Sequence, residues 1–160
     1  MAIQVGDRIP EATLLRATAE GPQPVSTRDY FAGRKVALFS VPGAFTPTCS
    51  VKHLPGFVDK ADELKAKGVD EIACIAVNDA FVMQAWGESS GAAGKVTMLA
   101  DGNGDFARAL GLTMDGSKFG LGERGSRWSA IVDDGVVEQL NVEEPGAFNV
   151  SSADYMMERL

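Results

Sequence analysis

With 160 residues, 45% of them hydrophobic, the chain can bury one sizeable core, and a single domain spanning 1–160 is expected. Its 22 acidic against 15 basic residues leave a net charge of -7, which disfavours nucleic acid and anionic membrane surfaces as partners. Two cysteines, Cys49 and Cys74, and a lone histidine, His53, match neither a disulfide scaffold nor a usual zinc spacing, so no metal and no cofactor are expected.

In chain order, the start from Met1 to Asp7 lacks the basic residues and apolar run of a secretory signal, and no stretch approaches membrane-spanning length. A cytoplasmic protein is the resulting expectation. Pro22 and Pro24 mark a turn. Lys35–Val41 and Glu71–Val77 are short apolar runs without alternation, the pattern of strands buried on both faces. Between them Leu54, Phe57, Val58, Ala61 and Leu64 recur at helical spacing opposite Asp59, Lys60, Glu63 and Lys65, and Gly68 stands where a helix cap belongs. A second helix is expected over Asp79–Glu88 and a short strand near Val96–Ala100. Arg127–Asp133 and Val136–Asn141 flank Asp134-Gly135, a strong hairpin signal, and Ser151 or Ser152 caps a final helix. A βαβ unit followed by a hairpin and a closing helix predicts an α/β, thioredoxin-like fold with a mixed central sheet flanked by helices.

The stretch from Val41 to Ser50 follows a buried strand and opens a helix. A thiol at Cys49 would then face unpaired backbone N–H groups and the positive end of the helix dipole, a setting that favours the nucleophilic thiolate. From Tyr30 through Val58 there is no Asp or Glu, while Arg34, Lys35, Lys52 and His53 fall in the same stretch. An anion-friendly pocket in an acidic chain is expected there. The bland alternative is a small buried cysteine beside a turn. Thr46 stands where the first cysteine of a C-x-x-C dithiol would be, so dithiol exchange is not available. A hydroxyl at Thr46 can donate to a peroxide oxygen, or simply cap the helix.

Pro42-x-x-x-Thr46-x-x-Cys49 resembles the peroxiredoxin active-site signature. Phe45, the run Thr46-Pro47-Thr48-Cys49-Ser50 and the segment His53-Leu54-Pro55-Gly56-Phe57 are similar to its type II, or type 5, subgroup. The resemblance continues through Ala76-Val77-Asn78-Asp79, Phe81-Val82-Met83, Trp86, Ala100-Asp101-Gly102, Arg127-Trp128-Ser129, Asp134-Gly135 and Leu140-Asn141-Val142-Glu143, nearly the whole chain. It implies a thiol peroxidase acting on hydrogen peroxide and alkyl hydroperoxides. Cys49 would become a sulfenic acid, Thr46 would orient the peroxide, and Pro42 would shield the sulfur. Thr48 would line the peroxide site. Arg127 would stabilise the thiolate and the leaving oxygen; read without the resemblance, it is an edge charge in solvent. Phe45 and His53 would belong to the pocket. A homodimer formed by loops beside the active site is also implied, with Phe45, Phe81, Phe119 and Leu121 as apolar groups in need of cover.

Some type II relatives carry a resolving cysteine in the loop before the last helix. Here Glu144–Ser152 holds none, and Cys74 lies within an apolar strand. A one-cysteine cycle follows, with an external thiol as reductant, glutathione with glutaredoxin from the resemblance. Two other readings compete. One is a thioredoxin-fold binding or redox-chaperone module with an inert Cys49. The other is a cysteine hydrolase with His53, four residues on, as its base.

Overall fold

The structure is a computed structural model that describes residues 2–160. Its centre is a seven-stranded sheet in the order β2-β1-β5-β4-β3-β8-β9. The two strands read from the apolar runs sit in the middle: β3 (Lys35–Ser40) and β4 (Glu71–Ala76) pair in parallel, and β4 pairs in parallel with β5 (Thr97–Ala100). β8 (Trp128–Asp133) runs antiparallel to β3 and continues into β9 (Val136–Val142). Their hairpin turns through Asp134 and Gly135, both at positive φ (48° and 81°), the geometry for which Asp-Gly is favoured. The sheet is mixed, as expected.

Helices cover both faces, which is why the interiors of β3 and β4 are apolar. One core cluster holds Phe39, Cys49, Phe57, Cys74, Trp86, Met98, Ile131 and Met156; the other holds Tyr30, Phe31, Leu38, Leu99, Phe106 and Trp128. α4 (Ala80–Ser89) is capped by the Asp79 carboxylate, which accepts from the Val82 N–H, and α6 (Ala153–Met157) by Ser152. Ser151, the other cap candidate, is bonded elsewhere, as described below.

Several elements carry no clear sequence signal. β1 (Thr13–Arg16) and β2 (Gln23–Ser26) form an outer hairpin, and Pro24 is tolerated there because β2 is the sheet edge. α1 (Thr27–Phe31) and α5 (Asp105–Leu110) are too short to show a periodicity. β6 (Thr113–Asp115) and β7 (Glu123–Gly125) make a separate two-stranded flap.

The helix expected after β3 departs from a regular α-helix. It opens with a π-helical turn at Cys49–His53, continues as α2 (Leu54–Asp59), breaks at Lys60 and resumes as α3 (Ala61–Ala66). Pro55 has no N–H to give back to the preceding turn, and the ladder widens just before it, with the Leu54 N–H bonded to the Cys49 carbonyl. All five apolar positions read as the inner face are buried. Gly68 ends α3 as foreseen: at φ 100° it donates to the Lys65 carbonyl while Val69 donates to Leu64.

Candidate active site

The loop Val41–Thr46 leaves the C-terminal end of β3, where the strand order places β4 and β8 on either side. It is held from several directions. The Ala44 N–H donates to Asn78 Oδ1 (2.9 Å), the Arg124 guanidinium donates to the Pro42 carbonyl (3.4 Å), and Phe45 takes a positive φ of 65°. A non-glycine residue at that φ is a strained conformation that only surrounding contacts maintain. Helical backbone begins at Pro47, and Cys49 is the first residue of the π turn, fully buried at 0% exposure. The next residue, Ser50, is tied to α4 through the Trp86 indole N–H (3.0 Å).

At Cys49 the distances become close. Arg127, immediately before β8, donates from Nη2 to Cys49 Sγ at 3.0 Å and from Nη1 to His53 Nδ1 at 2.8 Å. The other ring nitrogen of His53 lies 2.9 Å from the Ser151 carbonyl. A carbonyl can only accept and a guanidinium can only donate, so the imidazole is the neutral Nε2–H tautomer. Burial first, then the Arg127 charge, holds the His53 pKa down to about 3. Phe148 meets His53 edge-on at 5.1 Å and lies 5.9 Å from the Arg127 guanidinium carbon.

The local charge is not as expected. Arg34 and Lys35 lie at the opposite end of β3 from Cys49, where they pair with Glu71 (3.5 Å) and Glu138 (3.8 Å). Lys52 is exposed and His53 neutral. The positive charge at the sulfur is Arg127, brought from 78 residues away. Thr46 also differs in detail. Its hydroxyl donates to the Gly43 carbonyl (2.7 Å) and accepts from no helix N–H, so its oxygen keeps its capacity to accept. The hydrolase alternative fails, because the Nδ1 lone pair that a base would use is occupied by Arg127.

Cys74 is 0% exposed on β4, and burial pushes its thiol well above the ordinary range. The apolar run alone does not say which face it takes; it shares the core cluster of Cys49.

Arg127 thus meets the buried Cys49 sulfur three residues after Thr46, where the loop leaving β3 turns into a helix. The Redoxin family profile matches residues 4–157. The chain is 56% identical to peroxiredoxin-2E-2, chloroplastic, of Oryza sativa, covering 99% of this chain and 72% of the relative. It is 49% identical to peroxiredoxin-2B of Arabidopsis thaliana, over 99% and 98% of the two chains. The chain belongs to the peroxiredoxin family. Among solved peroxiredoxins, reduced Prx3 of Vibrio vulnificus in complex with hydrogen peroxide superimposes with a TM-score of 0.94 at 53% identity, covering 98% of each chain. As a peroxiredoxin of the type II kind, the protein is a thiol peroxidase.

Within this peroxiredoxin the motif reading brought Pro42, Phe45, Thr46, Thr48, Cys49 and His53 into one segment, and Arg127 joins them across the sheet. It gives no site role to the groups that hold them: Ser151, Phe148, Asn78, Arg124 and the Trp86–Ser50 bond. Ser151 contributes a backbone carbonyl, for which a sequence carries no signal.

Proposed function

We propose that this peroxiredoxin reduces hydrogen peroxide and small alkyl hydroperoxides through Cys49, in a one-cysteine cycle completed by an external thiol. The observation that carries the reading is the 3.0 Å approach of a guanidinium to a buried cysteine sulfur. The Cys49 thiolate attacks one peroxide oxygen, the O–O bond breaks, and the departing oxygen takes a proton to leave as water or alcohol. Arg127 would stabilise both the thiolate and the charge developing on that oxygen. Thr46, with its own proton committed to Gly43, would accept from the peroxide O–H and so align it. Pro42 and Phe45 would limit water at the sulfur, and Thr48 would line the site. One thiol then converts the sulfenic acid to a mixed disulfide plus water, and a second releases reduced Cys49 with a disulfide product. The donor is external because the loop Glu144–Ser152 has no cysteine and Cys74 is sealed within β4, and glutathione with glutaredoxin is the donor proposed from the resemblance to plant-type relatives.

A homodimer is proposed as well. Phe45 (54% exposed), Phe81 (71%) and Phe119 (80%) lie on the active-site loop, the start of α4 and the tip of the flap. Peroxide consumption with glutathione, glutaredoxin and thioredoxin systems in parallel, with mass spectrometry of Cys49 and light scattering, tests the reading. Glutathionylated Cys49 and a dimeric mass are expected. Turnover with thioredoxin alone, or a monomer at micromolar concentration, would contradict the respective part.

Glutathione is far larger than a peroxide, and Cys49 is fully buried, so its turn must open before reduction. The π turn is suited to this, since Pro55 has no N–H to bond the turn before it, and such local openings cost less than global unfolding. Oxidation to a neutral sulfenic acid also removes the charge attraction to Arg127. Hydrogen exchange over Thr48–Leu54 is therefore expected to be faster in oxidised than in reduced protein. Equal protection in both states alongside normal glutathionylation would show that the thiol enters without unwinding.

A further inference from the structure

Glu143 is a buried carboxylate, 9% exposed, just beyond the end of β9, and no cation pairs with it among the described residues. A buried charge without a counter-ion is costly unless hydrogen bonds replace its water. Here they come from one short stretch of chain. The N–H groups of Asn149, Val150 and Ser151 each donate to Oε2 at 2.8 Å, and the Ser151 hydroxyl donates to the same oxygen at 2.6 Å. Asn149 N–H also lies 2.9 Å from Oε1. Burial pushes the carboxyl up, but the Ser151 hydroxyl and these N–H groups outweigh it and leave Glu143 below its usual range.

The clamp closes a ring. The Glu143 N–H donates to the Arg127 carbonyl (3.0 Å), fixing the two strands beside each other. The Glu143 side chain fixes Ser151; the Ser151 carbonyl accepts from His53 Nε2–H; His53 Nδ1 accepts from Arg127 Nη1; and Arg127 Nη2 reaches Cys49. Each link forces the next. If the Ser151 carbonyl moved away, the Nε2 proton would lose its acceptor, and the preference for that tautomer would rest on the Arg127 contact alone. The other tautomer would set an N–H against the Arg127 N–H. Arg127 is a flexible side chain, and it points at the sulfur only while its second N–H has an acceptor.

We propose that Glu143 is a positioning residue of the peroxidase reaction, acting through the Ser151 carbonyl and the tautomer of His53 to hold Arg127 on Cys49. The proposal rests on the thiol peroxidase reading and adds to it a residue remote from the peroxide. The cysteine-free loop Glu144–Ser152 then serves as a scaffold for the arginine.

The test combines kinetics with nitrogen-15 NMR of His53 in reduced protein. Wild-type protein should show a single neutral Nε2–H tautomer; mixed tautomers, or Nδ1–H, would overturn the proposal whatever the variants do. Glu143→Ala, with its fold checked by circular dichroism, should mix the tautomers and slow Cys49 oxidation by hydrogen peroxide about tenfold, the scale of coupling through such networks. In a His53→Phe background the same substitution should change the rate less than about twofold, because the route is already cut. Glu143→Gln keeps one acceptor oxygen but sets an amide against the Asn149 N–H, and should lose about threefold. A folded Glu143→Ala protein with wild-type rate and spectrum would overturn the idea. So would an undiminished tenfold effect in the His53→Phe background. Failure of wild-type Cys49 to react with peroxide would remove the peroxidase reading, while the His53 spectra would still report on the ring.

Discussion

Cys49→Ser is expected to abolish peroxide turnover, whereas Cys74→Ser keeps most of it. A serine hydroxyl cannot be oxidised as sulfur is, so the first loss should be complete and not partial. Both cysteines are fully buried and both belong to one core cluster, so burial does not distinguish them. The distinction is electrostatic. Cys49 accepts from Arg127 at 3.0 Å, and Cys74 is a strand residue whose thiol burial pushes up. Replacing Cys74 sets a hydroxyl among apolar neighbours, at a cost of about 1–3 kcal/mol if it finds no partner. A lower melting temperature with near-normal turnover is therefore expected for Cys74→Ser. Turnover lost in a folded Cys74→Ser protein, with the first oxidation of Cys49 intact, would make Cys74 a resolving residue.

Arg127→Ala and Thr46→Val should each slow the oxidation of Cys49 by at least about 10²-fold, or roughly 2.7 kcal/mol of transition-state stabilisation. Arg127→Ala removes the donor at 3.0 Å from the sulfur and leaves His53 Nδ1 without its partner. Thr46→Val keeps the shape of the side chain but deletes the hydroxyl that bonds the Gly43 carbonyl and is proposed to align the peroxide. Stopped-flow oxidation of verified folded protein measures both. The two losses have different causes, so peroxide concentration should separate them. Thr46→Val weakens alignment of the bound peroxide, and Arg127→Ala weakens the nucleophile before any peroxide arrives. Near-normal rates in Arg127→Ala would remove that residue from the reaction.

The chemistry of the nucleophile is local, and local chemistry was readable. Pro42, Thr46 and Cys49 lie within one strand-to-helix connection, so their types and spacing already specify a lone thiol beside a hydroxyl with no dithiol partner. The central strands were equally plain, because burial on both faces demands unbroken apolar runs, and the Asp134-Gly135 hairpin because positive φ at two successive positions favours those residue types. Nearness in sequence misplaces charge, for a matter of geometry. Arg34 and Lys35 are near Cys49 in sequence, but an intervening six-residue strand carries them to the other end of the sheet. Arg127 is far in sequence, yet it immediately precedes β8, which pairs with β3, and so arrives at the sulfur. The π turn was hidden because apolar spacing alone does not separate an i→i+4 ladder from one widened ahead of Pro55. The state of His53 was hidden most deeply. Its tautomer depends on the Ser151 carbonyl, 98 residues on, and on the Arg127 guanidinium, while its pKa of about 3 comes from burial first and then from the Arg127 charge. Residue types and spacing by themselves determined a lone thiol beside a hydroxyl, with no dithiol partner, on a thioredoxin-like frame. Only the tertiary structure decided that Arg127 reaches the sulfur without help from the cations near it in sequence, and what holds it in place, because those contacts join a backbone carbonyl, a ring nitrogen and a guanidinium that meet nowhere in the linear chain.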